Sequence, residues 1–89
     1  VLTRKIEVIN KLGLHARAAS KFVKLASTFK SDVIMRKGGR EANGKSIMGV
    51  MMLAASKGAE IELVIDGDDE REALAALERL ITDRFGEGE

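Results

Sequence analysis

Glu60-Ile61-Glu62-Leu63-Val64-Ile65-Asp66 alternates acidic and apolar side chains along most of its length. A period of two marks a half-buried strand, so Ile61, Leu63 and Ile65 point inward while Glu60, Glu62 and Asp66 face water. A strand with one wet face belongs to an open, mainly antiparallel sheet, not to a parallel sheet covered on both sides. The layer that buries its apolar face is then helical and lies on one side only.

Reading outward from this strand supplies the other elements. Gly67 breaks it, and Asp69 followed three residues later by Glu72 resembles a capping box with Asp in place of Ser or Thr. Ala73, Leu74, Leu77, Leu80 and Ile81 then form the stripe of an amphipathic helix. Its first turn is acidic and Arg79 and Arg84 come late, as the helix dipole favours. Gly86-Glu87-Gly88-Glu89 is expected to fray. In the other direction, Lys57-Gly58 is a turn, and residues 46–53 read as a short helix with Ser46 as its N-cap. Gly49 weakens that helix by about 1 kcal/mol. Residues 32–37 and 40–43 form two strands joined at Gly38-Gly39, a hairpin signal. Residues 2–9 form the first strand, with Leu2, Ile6 and Val8 on one face and Thr3, Lys5 and Glu7 on the other. Between them, Ala19, Phe22, Val23, Ala26 and Phe29 recur at helical spacing from Ala16 onward, predicting a helix to about Ser27 or Phe29. The order is βαββαβα over one domain, residues 1–89: an α+β fold with a four-stranded, mainly antiparallel sheet. Periodicity does not say which strands are neighbours.

Composition narrows the function. The 15 basic and 14 acidic residues nearly cancel, which argues against an electrostatic nucleic-acid binder. Three Phe are the only aromatics and fall in helical patterns, so the stacking platform of an RNA-binding sheet is lacking. With no Cys and one His, a zinc or iron centre is not expected, nor is a disulfide framework. No apolar run reaches membrane-spanning length and no signal-peptide core opens the sequence, so the expected setting is the cytoplasm.

The only His, His15, falls at the start of the first predicted helix, in Gly13-Leu14-His15-Ala16-Arg17. The first turn of a helix has N–H groups without intrahelical partners, and its dipole favours an anion over an imidazolium. A neutral imidazole with a free lone pair is a nucleophile, and phosphoryl is the group these surroundings suit. Arg17 adds a planar fork of donors that matches a phosphate. Position alone leaves open that His15 is an ordinary solvated residue.

Gly44-Lys45-Ser46-Ile47-Met48-Gly49-Val50-Met51-Met52 is the second unusual segment. Ile47, Val50 and Met51 can face the core at helical spacing, leaving Met48 and Met52 toward another face. Methionines either fill core gaps or provide an adaptable surface for several partners. Ser46 reads first as a plain cap, with a modified site as the alternative.

Taken together, the two segments and the element order resemble the HPr family, the histidine-containing phosphocarriers of the bacterial phosphoenolpyruvate-dependent phosphotransferase system. The resemblance implies an open-faced β-sandwich with strand order 1423 and three helices on one face. It implies that His15 takes a phosphoryl group on Nδ1 from phosphorylated enzyme I and passes it to IIA proteins. Arg17 and the backbone N–H groups of Ala16 and Arg17 would bind that group. Ser46 matches the serine that HPr kinase/phosphorylase modifies in some bacteria, and Lys24, Ile47, Met48 and Met51 fall on the partner-docking face. The resemblance further implies a carrier without turnover of its own and without a cofactor, acting as a monomer. Ala18 departs from the family, which usually has Pro there. Three other functions remain: a regulatory carrier of the nitrogen branch of the same system, a small phosphate-ester hydrolase, and a purely regulatory binding module acting through Ser46, against which the intact His15 and Arg17 weigh. The hydrolase lacks a second acid or base near His15 in sequence.

Overall fold

The computed structural model describes residues 1–53 and 55–87. Strands β1 (Leu2–Glu7), β2 (Asp32–Lys37), β3 (Arg40–Asn43) and β4 (Glu60–Asp66) form one antiparallel sheet in the order β1-β4-β2-β3. Helices α1 (Ala16–Ala26), α2 (Ile47–Met52) and α3 (Glu70–Thr82) complete the fold, and a 3-10 turn, Arg84–Gly86, follows α3. The α+β class agrees with the sequence reading, and the 1423 order with what the family resemblance implies.

β4 is central because it pairs with both β1 and β2. Ile61 lies opposite Ile6, Leu63 opposite Met35, and Ile65 between Leu2 and Val33. These side chains form the inner face, and all but the half-buried Leu2 are buried. The outer face carries a row of charges in the same register, where Arg36 Nε donates to Glu41 Oε2 at 2.9 Å and its Nη1 lies 3.5 Å from Glu62 Oε1. The Arg36 guanidinium is stabilised in its charged form, first by the hydrogen bond it donates to Glu41 and then by the Glu41 charge. Such exposed pairs set register more than stability.

Ala18, Ala19, Phe22, Val23 and Ala26 of α1 and Ala73, Leu74, Leu77 and Ile81 of α3 close over the apolar face of the sheet. Phe29 and Leu80 are only partly buried at its margin.

Two local expectations are corrected. Asp69 is the backbone N-cap of α3, but its carboxylate makes no cap bond. It turns to the loop after α1, accepting from Lys30 N at 2.8 Å, Ser31 N at 2.9 Å and the Ser31 hydroxyl. Three donors outbid the helix end, and the Ser31 hydroxyl leads in holding the Asp69 carboxyl below its ordinary range. Glu70 instead accepts from Gly67 N at 3.2 Å.

In α2 only Val50 enters the core. Ile47 is 41% exposed and Met51 37%, so the apolar stripe expected for them is absent; Met48 and Met52 are 68% and 62% exposed. A helix of six residues offers one buried turn, and Val50 fills it. The methionines of α2 are therefore surface, while Met35 is the core-filling one.

Candidate functional site

The loop before α1 is shaped by backbone geometry. Gly13 has φ +66°, in the left-handed region, and a Cβ there would lie 2.5 Å from Ala55 O. Leu14 N donates to that same carbonyl at 2.8 Å and its side chain is buried. Asn10, wholly buried, donates from Nδ2 to Gly13 O at 2.8 Å. Together these fix the entry of the chain into α1.

His15 is the N-cap, with an extended backbone (φ −75°, ψ 178°). Its carbonyl accepts from Ala19 N at 2.8 Å, closing the first turn. Its ring Nδ1 accepts from Arg17 N at 3.3 Å. A donor at Nδ1 leaves the lone pair on that nitrogen and the ring proton on Nε2. The bond is long, so the lone pair is lightly held. Arg17 N–H is thus engaged with the ring, while the N–H groups of Ala16 and Ala18 have no hydrogen-bond partner among the described residues. The Arg17 side chain is exposed beside them.

Lys11, Leu12, His15, Ala16, Arg17, Lys21, Gly86 and Glu87 line an open cleft of about 670 Å³. Three cations around one helix start suit an anionic group.

Gly86 and Glu87 were expected to fray, and the structure corrects this; Gly88 and Glu89 lie outside the described residues. Arg84 and Phe85 both adopt left-handed backbone, with φ near +55°. Phe85, 1% exposed, is thereby buried in the core, and Lys21 Nζ donates to Phe85 O at 2.7 Å. Glu87 then reaches the site. One carboxylate oxygen accepts from Asn10 Nδ2 at 2.9 Å and the other meets His15 Nε2. Burial pushes the Glu87 carboxyl up, but the hydrogen bonds from Asn10 and His15 and the charge of Lys21 outweigh it and hold it below its ordinary range. Glu87 is the site residue that sequence reasoning missed, because 72 positions separate it from His15.

Ser46 caps α2 as expected, its Oγ accepting from Gly49 N at 3.1 Å. It stands apart from His15: neither it nor any α2 residue lines the His15 cleft. Ile47, Met48 and Met51 are exposed around it, and Lys24 is exposed on α1, which packs on α2.

No helix among the described residues is long and apolar enough to cross a membrane. Residues 2–83 match the family model described as "PTS HPr component phosphorylation site". The chain is 61% identical over 89 residues to the phosphocarrier protein HPr of Neisseria meningitidis and 56% identical over 89 residues to that of Cupriavidus necator, in both cases covering all of each chain. Its structure is similar to the crystal structure of HPr-C-His from Thermoanaerobacter tengcongensis, with a TM-score of 0.94 and 47% identity over 98% of each chain. An HPr of Bacillus anthracis gives a TM-score of 0.87 at 40% identity, over 90% of this chain and 95% of the other. With the helix-start histidine, the capped second helix and the 1423 sheet in place, the match over nearly the whole chain means that this protein belongs to the HPr phosphocarrier family of the phosphotransferase system.

Proposed function

We propose that His15 is the phosphoryl acceptor, taking the group on Nδ1 from phosphorylated enzyme I and delivering it to IIA proteins. The observation that carries this reading is the Nδ1 lone pair at the start of α1, beside the Ala16 N–H, which has no partner among the described residues, and the exposed side chain of Arg17. Attack by Nδ1 on phosphorus forms the new P–N bond as the bond to the donor breaks. The phosphoryl oxygens then replace the ring as partner of the Arg17 N–H and engage the Ala16 N–H, and the Arg17 side chain supplies paired donors. Delivery is the reverse, so the chain acts as a carrier without turnover of its own, in the cytoplasm.

Glu87 supplies the carboxylate that a hydrolase would need, yet it sits on Nε2, the ring edge away from Nδ1. That favours transfer over activation of water at phosphorus. A nitrogen-branch carrier would use the same chemistry with a different IIA partner.

Lys24, Ile47, Met48 and Met51 form the docking surface in this reading, and Ser46 is a regulatory phosphorylation site for HPr kinase/phosphorylase. Exposure of three large apolar side chains beside a phosphorylatable cap supports both.

Incubation with enzyme I and phosphoenolpyruvate, followed by intact mass, tests the reading. One acid-labile phosphoryl group is expected, absent in His15→Ala. No uptake, or equal uptake by the folded variant, overturns it.

A further inference from the structure

We propose that Glu87 is a positioning residue for phosphoryl transfer: its carboxylate holds the Nε2–H of His15 and so presents the Nδ1 lone pair to phosphorus. The proposal rests on the reading of His15 as the acceptor.

Three observations carry it. Nδ1 accepts from Arg17 N, so the ring proton is on Nε2, the nitrogen that meets Glu87. The carboxylate is itself fixed, because Asn10 Nδ2 donates both to it and to Gly13 O. One buried amide thus ties Glu87 to the loop that delivers His15. Behind it, Phe85 is buried in the core and its carbonyl is held by Lys21, which anchors the segment from the other side. Glu87 is largely covered, with 13% of its side chain exposed, so this is a built contact and not a solvated neighbour.

The chemistry gives the contact a direction. When the Nδ1 lone pair forms the bond to phosphorus and the donor departs with its electron pair, the ring acquires positive charge that spreads to Nε2–H. The proton stays on Nε2. A carboxylate on that hydrogen gains attraction as the charge develops, so it stabilises the transition state more than the resting ring. The phosphoryl group bonds to the other ring nitrogen, so its repulsion with Glu87 acts across the width of the imidazole.

The test compares the wild type, Glu87→Gln and His15→Ala in rapid-quench transfer from phosphorylated enzyme I, with ring-proton NMR and thermal melting. Glu87→Gln is expected to lower kcat about tenfold or more, since it removes a charge-assisted hydrogen bond, with KM for enzyme I unchanged. A slowly exchanging Nε2–H resonance present in the wild type should be lost in the variant, with little change in Tm. An unchanged or raised kcat overturns the proposal, as does an effect confined to KM, which would make Glu87 a docking residue. Transfer to the wild type with no loss in Glu87→Gln overturns this inference alone. No transfer to the wild type overturns the acceptor reading and this inference with it.

Discussion

Helices α1 and α2 begin alike and are put to different use. Each opens with a residue whose side chain accepts a backbone N–H of its own first turn, His15 from Arg17 at 3.3 Å and Ser46 from Gly49 at 3.1 Å. Around His15 the cleft gathers four ionic side chains, Lys11, Arg17, Lys21 and Glu87, with Leu12 as its one large apolar residue. Around Ser46 they are apolar and exposed: Ile47, Met48, Met51 and Met52. A cap is thus a local device for satisfying a helix end. What surrounds it decides whether it can also do chemistry. The ionic surroundings of His15 suit the transfer of an anion, and the adaptable side chains around Ser46 suit contact with a partner.

The sharpest way to break the comparison is His15→Ala. Transfer should be abolished while the fold survives, since the loss of one long cap bond costs about 1 kcal/mol and Glu87, deprived of the His15 contact, keeps Asn10 Nδ2 as a partner. Intact mass after incubation with enzyme I, paired with a denaturant melt, checks both halves. A variant that still accepts phosphate would show that the chemistry lies elsewhere.

Arg17→Lys comes next. It keeps the charge near His15 but loses the paired donors, and charge-assisted hydrogen bonds are worth about 1.5–3 kcal/mol. Transfer should slow by roughly tenfold or more. If Lys transfers at the original rate, the ionic surroundings act through net charge alone.

Ser46→Asp probes the other helix start. A carboxylate at the N-terminus of α2 agrees with the dipole, so Tm should hold or rise slightly. Transfer should fall severalfold at low salt, because a charge beside Ile47, Met48 and Met51 is costly to desolvate on docking. A phosphate, with about −1.5 to −2 charge, should act more strongly. Unchanged transfer would leave Ser46 as a cap only, whereas a sharp drop in Tm would mean that the charge works through the fold.

The smallest effect is expected from Ala18→Pro. The Ala18 N–H has no hydrogen-bond partner among the described residues and lies in the first turn, where Pro is tolerated. Restricting the unfolded chain should add about 0.4–1 kcal/mol in urea melts. A clear loss of stability would mean that the fully buried position 18 has no room for the ring.

The alternation of Glu60–Asp66, the spacing of α1 and the punctuation by glycine were enough to place β2, β3 and β4 at their observed bounds, because these signals are local. The same locality explains the misses. Asp69 has the sequence context of a capping box, but three donors from the Lys30-Ser31 segment claim its carboxylate. Ile47 and Met51 have helical spacing relative to Val50, yet so short a helix buries only one of them.

By itself, then, the sequence determined the elements, the class of fold, the family resemblance and His15 with Arg17 at a helix start. Periodicity, caps and motif spacing are properties of a few neighbouring residues. Only the tertiary structure decided which face of α2 meets solvent, where Asp69 turns, and that Glu87 reaches His15. Those depend on residues 38 to 72 positions apart meeting in space, and on left-handed turns at Arg84 and Phe85 that seat Phe85 in the core before aiming Glu87 at the imidazole. Arg and Phe carry no local signal for such a turn; burial of the ring in a completed core compensates for its strain.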